Sequence, residues 1–211
     1  MENLHMDLAE AVALRLNELP WLTSPGGEVE RRMLEREAAE SGRATSVVRY
    51  RPGSRFPTHT HGGGEEYLVL DGVFSDGHGD GVVGTYVRNP PGSQHAPFSA
   101  DGCTIFVKLC QMRNDETERH VVIPERREWM RRDGLSWCRL FEDRWEQVDL
   151  IDAVETTEIS LGGLEVLVLG GGMQVEGASF EGISWLRAPA GDTRTAVLRE
   201  GARLWTKRGH L

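Results

Sequence analysis

The sequence predicts an all-β protein that contains the same fold unit twice. Most of the 25 glycines in the 211-residue chain lie between short runs rich in β-branched, aliphatic and aromatic residues. This is the pattern of strands joined by tight turns in a β-sandwich or β-barrel. The clearest predicted strands are Ala44–Tyr50, Glu66–Leu70, Gly84–Arg88, Cys103–Cys110 and Leu164–Leu169.

Residues 1–20 differ from the rest and predict one short helix. Apolar residues recur there at near-helical spacing, at Leu8, Val12, Leu16 and Leu19. Asp7 and Glu10 have the spacing of a capping box, and Pro20 ends the run. We expect this helix to pack on a sheet or on a second subunit.

An internal repeat appears when the sequence is aligned with itself at a constant offset of 99 residues. Gly63–Gly72 then falls on Gly162–Gly171, and Gly102–Met112 falls on Gly201–Leu211. We therefore expect one fold unit over residues 21–113 and a second, degenerate one over residues 141–211. Residues 114–140, which include "ERREWMRR", are predicted to be a charged linker.

Composition argues against several classes of partner. The formal net charge of −9 disfavours binding to nucleic acid or to an anionic membrane surface. No apolar run is long enough to span a bilayer, and the first residues lack a signal-peptide pattern, so the expected location is the cytoplasm. Three cysteines without C-x-x-C spacing predict neither a disulfide framework nor a zinc finger.

The segment "HTHGGGE" predicts part of a metal site. His59 and His61 alternate along a strand, so both imidazoles point to the same face. A straight strand would carry Glu65 about 13 Å beyond His61, which is too far for a shared ion. Gly62–Gly64 permit a turn that returns Glu65 towards the two histidines.

His95 is the predicted fourth ligand, because a Pro-Pro-Gly turn precedes it in "RNPPGSQH". Neutral imidazoles with one carboxylate suit one divalent transition metal, with zinc favoured and iron, manganese or nickel as alternatives. In the second copy the offset of 99 replaces this polar cluster with Glu158, Ser160, Leu164 and Arg194. We therefore expect that copy to lack the metal, with an ion pair between Glu158 and Arg194 or a small anion at Arg194.

Two spaced motifs resemble those of the cupin superfamily. The first is Gly53-x5-His59-x-His61-x3-Glu65-x6-Gly72, and the second is Gly84-x5-Pro90-x-Gly92-x2-His95, with Ser99 where the family has a closing Asn. Residues 46–112 more narrowly resemble the cupin domain of ChrR-like anti-sigma factors, with acetylacetone-cleaving dioxygenases as relatives. The resemblance implies tandem double-stranded β-helix (jelly-roll) barrels and a metal bound by His59, His61, Glu65 and His95.

Two functions follow from this resemblance. One is a regulatory or stress-sensing module that contacts a sigma factor or another regulatory protein, although the His/Cys zinc motif of the ChrR N-terminal domain has no counterpart here. The other is a metal-dependent dioxygenase acting on a small diketone-like substrate. The candidate pocket residues are Tyr67, Tyr86 and Arg194. A small-molecule ligand is compatible with both functions. We also expect a homodimer that forms through an exposed strand or through the N-terminal helix.

Overall fold

The computed structural model describes residues 3–37 and 42–211, and the chain divides into two compact units. The first unit takes its described residues from 1–6 and 20–126, and the second is built from residues 7–19 and 127–211. Regular structure is almost entirely β, which confirms the predicted class. No helix in the described part of the chain is long and apolar enough to cross a membrane.

The strands of the first 126 residues follow one another with short turns. In chain order they are β1 (Val12–Arg15), β2 (Leu22–Thr23), β3 (Val29–Arg36), β4 (Ala44–Tyr50), β5 (Ser54–Arg55), β6 (His59–His61), β7 (Glu65–Gly72), β8 (Phe74–Asp76), β9 (Gly79–Gly81), β10 (Tyr86–Asn89), β11 (Ser93–His95), β12 (Phe98–Ser99), β13 (Cys103–Leu109) and β14 (His120–Val122).

The remaining strands all belong to the second unit. They are β15 (Met130–Arg132), β16 (Leu135–Glu142), β17 (Gln147–Ala153), β18 (Thr157–Ser160), β19 (Leu164–Gly170), β20 (Gly172–Val175), β21 (Ala178–Glu181), β22 (Ser184–Ala188), β23 (Thr195–Leu198) and β24 (Arg203–Arg208). Single 3₁₀ turns occur at Leu16–Glu18 and Pro124–Arg126.

Each unit is built around a seven-stranded antiparallel sheet. The order is β14-β10-β7-β13-β4-β3-β2 in the first unit and β1-β22-β19-β24-β17-β16-β15 in the second. Smaller sheets complete each barrel, with β11-β6 and β5-β12-β8-β9 in the first and β18-β23-β20-β21 in the second. Apolar side chains from the large sheet fill each interior, among them Tyr67, Val69 and Ile105 in the first unit and Val166, Val168 and Leu204 in the second.

The predicted N-terminal helix is wrong, because this segment forms an edge strand. Strand β1 pairs antiparallel with β22, with Val12 opposite Arg187 and Arg15 opposite Ser184. The apolar residues Val12, Leu14 and Leu16 are also spaced two apart, so one face of an extended chain is apolar as well. Pairing with an open sheet edge outweighs the helical alternative here.

The predicted charged linker over residues 114–140 is also wrong, because it contains strands of both large sheets. Strand β14 pairs with β10 and closes one edge of the first sheet. Strands β15 and β16 pair with each other and extend the second sheet. In this part of the chain, the first unit ends at residue 126 and the second resumes at residue 127.

The offset of 99 holds through the large sheets. Leu109 lies opposite Glu65 in the first unit, and Arg208 lies opposite Leu164 in the second. The glycines that turn the chain also correspond, since Gly72 and Gly171 both have a φ of 69°. The two copies are therefore structural repeats over these strands.

Candidate metal centre

Three histidines and one glutamate meet where the small sheet β11-β6 faces the start of β7. His59 and His61 lie on β6, and His95 lies directly opposite His59 on β11. The three imidazole ring centroids form a triangle with sides of 4.8, 5.0 and 4.8 Å. One ring nitrogen from each histidine lies within 4.8 Å of the other two.

The separations among His61, His95 and Glu65 fit ligands of one ion. The Nε2 atoms of His61 and His95 are 2.9 Å apart. Glu65 Oε2 lies 3.6 Å from His61 Nε2 and 3.5 Å from His95 Nε2. Two ligand atoms held about 2.1 Å from an ion lie about 3.0 Å apart at right angles and about 3.4 Å apart in a tetrahedron. Three imidazoles and one carboxylate are also a donor set that divalent transition metals prefer.

The glycine turn between His61 and Glu65 acts in two different ways. Gly64 has a φ of +76°, a conformation that residues with a Cβ rarely adopt, and its N–H donates to the His61 carbonyl. A Cβ on Gly63 would lie 2.7 Å from Cys110 Cα, so this position needs close approach rather than a special φ. The turn brings Glu65 back to His61, as the sequence indicates, and also to His95.

Hydrogen bonds around the cluster orient the candidate ligands. His59 Nδ1 contacts the Pro57 carbonyl at 3.1 Å, and His95 Nδ1 contacts Asp76 Oδ2 at 3.2 Å. When Nδ1 carries the proton in these contacts, Nε2 keeps its lone pair for a metal. Asn89 Nδ2 donates to Glu65 Oε2 at 2.9 Å and fixes that carboxylate.

The charges of the site shift three pKa values. Burial lowers the pKa of His61, and His95 lowers it further against the opposing effect of Glu65. For His95, burial acts to lower the pKa, but the hydrogen bond with Asp76 and the charge of Glu65 outweigh it, so the pKa is raised. For Asp76, burial opposes ionisation, yet hydrogen bonds from His95 and from the His78 N–H lower its pKa overall. Asp76 is therefore an ionised partner for His95.

Asp76, Asn89 and Arg119 are functional candidates that the sequence did not reveal. Arg119 Nε donates to Asn89 Oδ1 at 2.9 Å, its Nη2 lies 4.0 Å from Asp76 Oδ2, and its side chain hydrogen-bonds to Tyr67. Arg119 thus links the two residues that orient His95 and Glu65. Only Asn89 lies within a recognisable motif, whereas Arg119 lies in the segment predicted to be a linker.

A cavity of about 280 Å³ opens beside the cluster, inside the first barrel. His59, His61 and Glu65 form one wall, and the other walls are mainly apolar, with Arg31 as a cationic group. The apolar lining consists chiefly of Val29, Val48, Tyr50, Phe56, Ile105, Val107 and Leu109. Because three of the four candidate ligands face this space, a bound ion would be reachable by a small molecule.

The two tyrosines predicted to line a pocket lie elsewhere. Tyr67 is buried in the apolar core, where burial and then the charge of Glu65 raise the pKa of its phenol. Tyr86 lies opposite Leu68 on the other face of the sheet, and its hydroxyl donates to Glu66 Oε1 at 2.7 Å. Period-two alternation places Tyr86 on the face away from Glu65, so it does not contribute to the cavity.

The second unit has apolar side chains where the first unit has its candidate metal ligands. Two of these side chains lie one residue beyond the positions that the offset of 99 predicts. Strand β18 pairs with β23 so that Ile159 lies opposite Ala196, in the way that His59 lies opposite His95. Leu161 is buried and Ile159 packs against the apolar core, whereas Glu158 and Ser160 are exposed. The hydrogen bond that closes the turn runs from the Gly64 N–H to the His61 carbonyl in the first unit and from the Leu164 N–H to the Leu161 carbonyl in the second. The residues just before β19 therefore correspond at an offset of 100 rather than 99.

Arg194 therefore does not occupy the position of His95. Its guanidinium pairs with Asp192, at 2.6 Å, and with Glu176, at 3.5 Å, rather than with Glu158. The hydrogen bond with Asp192 is the main reason that the pKa of Arg194 is raised. The prediction of a Glu158–Arg194 ion pair is wrong because the offset of 99 does not hold through β18.

The fold and the site define the class of this protein: the chain belongs to the cupin superfamily. Residues 9–113 match the ChrR cupin-like domain family. This match covers the candidate metal centre and extends back to the N-terminal edge strand. No curated protein matches the sequence at a significant level.

Solved structures with the same fold cover nearly the whole chain at low identity. A putative dioxygenase from Nostoc punctiforme is similar with a TM-score of 0.76 and 15% identity, covering 95% of this chain and 82% of its own. A salicylate 1,2-dioxygenase from Pseudaminobacter salicylatoxidans has a TM-score of 0.67 at 12% identity, with coverages of 96% and 85%. A bacterial pirin from Escherichia coli, solved in complex with nickel(II), has a TM-score of 0.63 at 13% identity, with coverages of 94% and 98%. At these identities the likeness shows the fold alone, and it supports two tandem cupin barrels.

Proposed function

We propose that this protein is a metal-dependent dioxygenase that acts on a small, largely apolar molecule with two oxygen donors. The observation that carries the proposal is the cavity of about 280 Å³ with His59, His61 and Glu65 in its wall. A purely structural metal site needs no such space, because its ligands close around the ion. A cavity of this size also limits the substrate to a small molecule.

The metal would be held by His59, His61, Glu65 and His95. Iron and manganese are the ions suited to this reaction. Such an ion, when bound, supplies Lewis acidity towards substrate oxygens and the redox chemistry that dioxygen requires. The protein's own contribution is orientation, since Asp76 positions His95 and Asn89 positions Glu65. The apolar walls exclude water and hold the carbon skeleton of the substrate.

A 1,3-diketone is the substrate class that this site fits best. Its two carbonyl oxygens can reach one ion together, and its alkyl groups match walls formed by residues such as Val48, Phe56 and Val107. The proposed reaction adds both atoms of dioxygen across a carbon–carbon bond of the diketone and gives a carboxylic acid and a dicarbonyl compound. No further reductant is needed for this balance.

Oxygen consumption tests the proposal directly. The purified chain is loaded with iron(II) and supplied with 2,4-pentanedione, and oxygen uptake is followed together with formation of acetate. We expect substrate-dependent uptake that is lost in His61→Ala and kept in His78→Ala, because His78 is exposed and lies outside the cluster. Absence of uptake by iron- and manganese-loaded protein with this diketone would reject the dioxygenase proposal.

A regulatory role is the second candidate, and the ChrR cupin-like family match supports it. In this proposal zinc fills the same four ligands, and a change at the site alters the contact with a sigma factor or another regulatory protein. Hydrogen exchange of the zinc-loaded and chelator-treated chain tests it. Protection that changes beyond the immediate neighbours of the cluster would support regulation, whereas changes confined to β6, β7 and β11 would count against it.

A further inference from the structure

The second barrel contains a cavity at the place that corresponds to the metal cavity of the first. Its volume is about 220 Å³. Its lining comes from β16, β17, β18, β19 and β24 and consists of Leu135, Trp137, Gln147, Asp149, Ile151, Ile159, Leu164, Thr206 and Arg208. Leu164 takes the place of Glu65, and Ile159 takes the place of His59. The wall that holds the candidate ligands in the first unit is therefore apolar here.

On the opposite wall of the cavity, the second unit has polar residues where the first unit has aliphatic ones. Arg208 lies opposite Leu164 and Gln147, where the first unit has Leu109 opposite Glu65 and Ala44. Thr206 correspondingly replaces Val107. The second cavity thus keeps its location but has its polar groups on the wall that is aliphatic in the first unit.

Arg208 is the cationic group of this cavity and has no ion-pair partner within residues 3–37 and 42–211. Its Nη1 and Nη2 donate to the carbonyls of Gly162 at 3.0 Å and Ser160 at 3.2 Å. These bonds use two of the five guanidinium N–H groups and fix the side chain. Burial lowers the pKa of Arg208 despite the opposing charge of Asp149, which shows that the guanidinium is partly removed from water.

Asp149, the acidic group in the lining, is hydrogen-bonded by residues other than Arg208. Its Oδ1 accepts a hydrogen bond from Arg139 Nε at 2.5 Å, and its Oδ2 accepts one from Gln147 Nε2 at 2.5 Å. Asp149 thus pairs with Arg139 and not with Arg208, and the remaining guanidinium N–H groups of Arg208 are available to a ligand. Trp137 stands where the first unit has Arg31, so it adds a flat apolar surface on a third side.

We propose that this cavity binds a small carboxylic acid, with its carboxylate on Arg208 and its apolar part against Trp137, Ile159 and Leu164. A carboxylate can accept two charge-assisted hydrogen bonds from one guanidinium, which selects this anion over a spherical one. The cavity is smaller than the roughly 300 Å³ at the lower end of ordinary ligand sites, so only a small acid fits. The site would act without a metal.

Calorimetric titration of the full chain with benzoate and with 3-methylbutanoate tests this site. Chelator-treated protein is used, because carboxylates would also bind a metal in the first barrel, and circular dichroism verifies the fold. We expect one saturable site for at least one acid. We also expect at least about tenfold weaker binding of benzamide, the neutral analogue of benzoate, because the charge-assisted bonds to Arg208 are lost.

Arg208→Met is expected to weaken binding of the acid by at least about tenfold for the same reason. Arg203→Met is the matched control, because Arg203 lies on the same strand but pairs with Asp152 outside the cavity. If Arg208→Met does not fold, Trp137→Ala replaces it and should weaken binding at least about fivefold through the lost apolar wall. Absence of saturable binding by both acids, or equal binding by the cavity variant and Arg203→Met, would overturn the proposal.

Discussion

At the residue scale, hydrogen bonds to neighbouring oxygens orient two imidazoles of the candidate metal centre. His59 and His95 each have Nδ1 engaged by an oxygen, from Pro57 and Asp76 respectively. Asp76 is the more consequential partner, because its carboxylate is buried and ionised beside His95. An ionised carboxylate behind an imidazole raises the basicity of the nitrogen that faces the metal.

Asp76→Asn is therefore expected to weaken metal binding without unfolding the chain. Loss of this carboxylate should lower the affinity by roughly 10- to 100-fold. Competition with a fluorescent chelator measures the change. Asp80→Asn is the control, because Asp80 is exposed and accepts from Ser75 in the same hairpin. Equal affinities for the two variants would contradict the role assigned to Asp76.

At the element scale, short turns decide where the site residues lie. In the sequence "HGGGE" the three glycines look equivalent, but in the structure they differ in how much space surrounds each one. A Cβ on Gly62 would meet nothing within 4 Å, whereas a Cβ on Gly63 would lie 2.7 Å from a backbone atom of Cys110. The loop between two candidate ligands is thus held against the end of β13.

Gly63→Ala should consequently destabilise the first unit, by about 1–3 kcal/mol from overpacking against backbone. Gly62→Ala is the matched control and should change the free energy of unfolding by less than about 1 kcal/mol. Urea denaturation followed by circular dichroism measures both. Similar stabilities of the two variants would show that the contact with Cys110 does not constrain the turn.

The N-terminal strand gives a second prediction at this scale. Leu16 is only 1% exposed and immediately follows β1, so Leu16→Ala should destabilise the second unit by about 2–5 kcal/mol. Leu22→Ala, at a position that is 43% exposed, should change stability by less than about 0.5 kcal/mol. Tryptophan fluorescence reports the effect, because five of the six tryptophans lie in the second unit. No destabilisation in Leu16→Ala would contradict the packing of this segment.

At the scale of the whole molecule, the all-β class and the repetition of the fold could be predicted from the sequence. Turn glycines such as Gly72 and Gly171 mark the repeat because their backbone conformation requires glycine in both copies. The position of β1 could not be predicted, because Val12, Leu14 and Leu16 satisfy a strand and Val12, Leu16 and Leu19 satisfy a helix. Only the sheet edge offered by β22 decides between them.

In the candidate metal centre, too, some residues could be predicted from the sequence and others could not. The candidate ligands can be predicted from their spacing in the sequence, because strand alternation and turn chemistry are local properties. These ligands are His59, His61, Glu65 and His95. Arg119 and Asp76 approach the cluster through tertiary packing, which leaves no periodic signal. In the second unit, β18 corresponds to β6 at an offset of 100 rather than 99, and this changes which side chains face inwards.

The central proposal is that each chain binds one divalent transition metal, at the cluster of the first barrel and not in the second. Elemental analysis of protein purified without added metal tests this most directly, with His61→Ala and His78→Ala measured alongside. We predict close to one ion per chain in the unaltered protein and in His78→Ala, and loss of that ion in His61→Ala. Two ions per chain, no ion, or an unchanged metal content in His61→Ala would contradict the assignment.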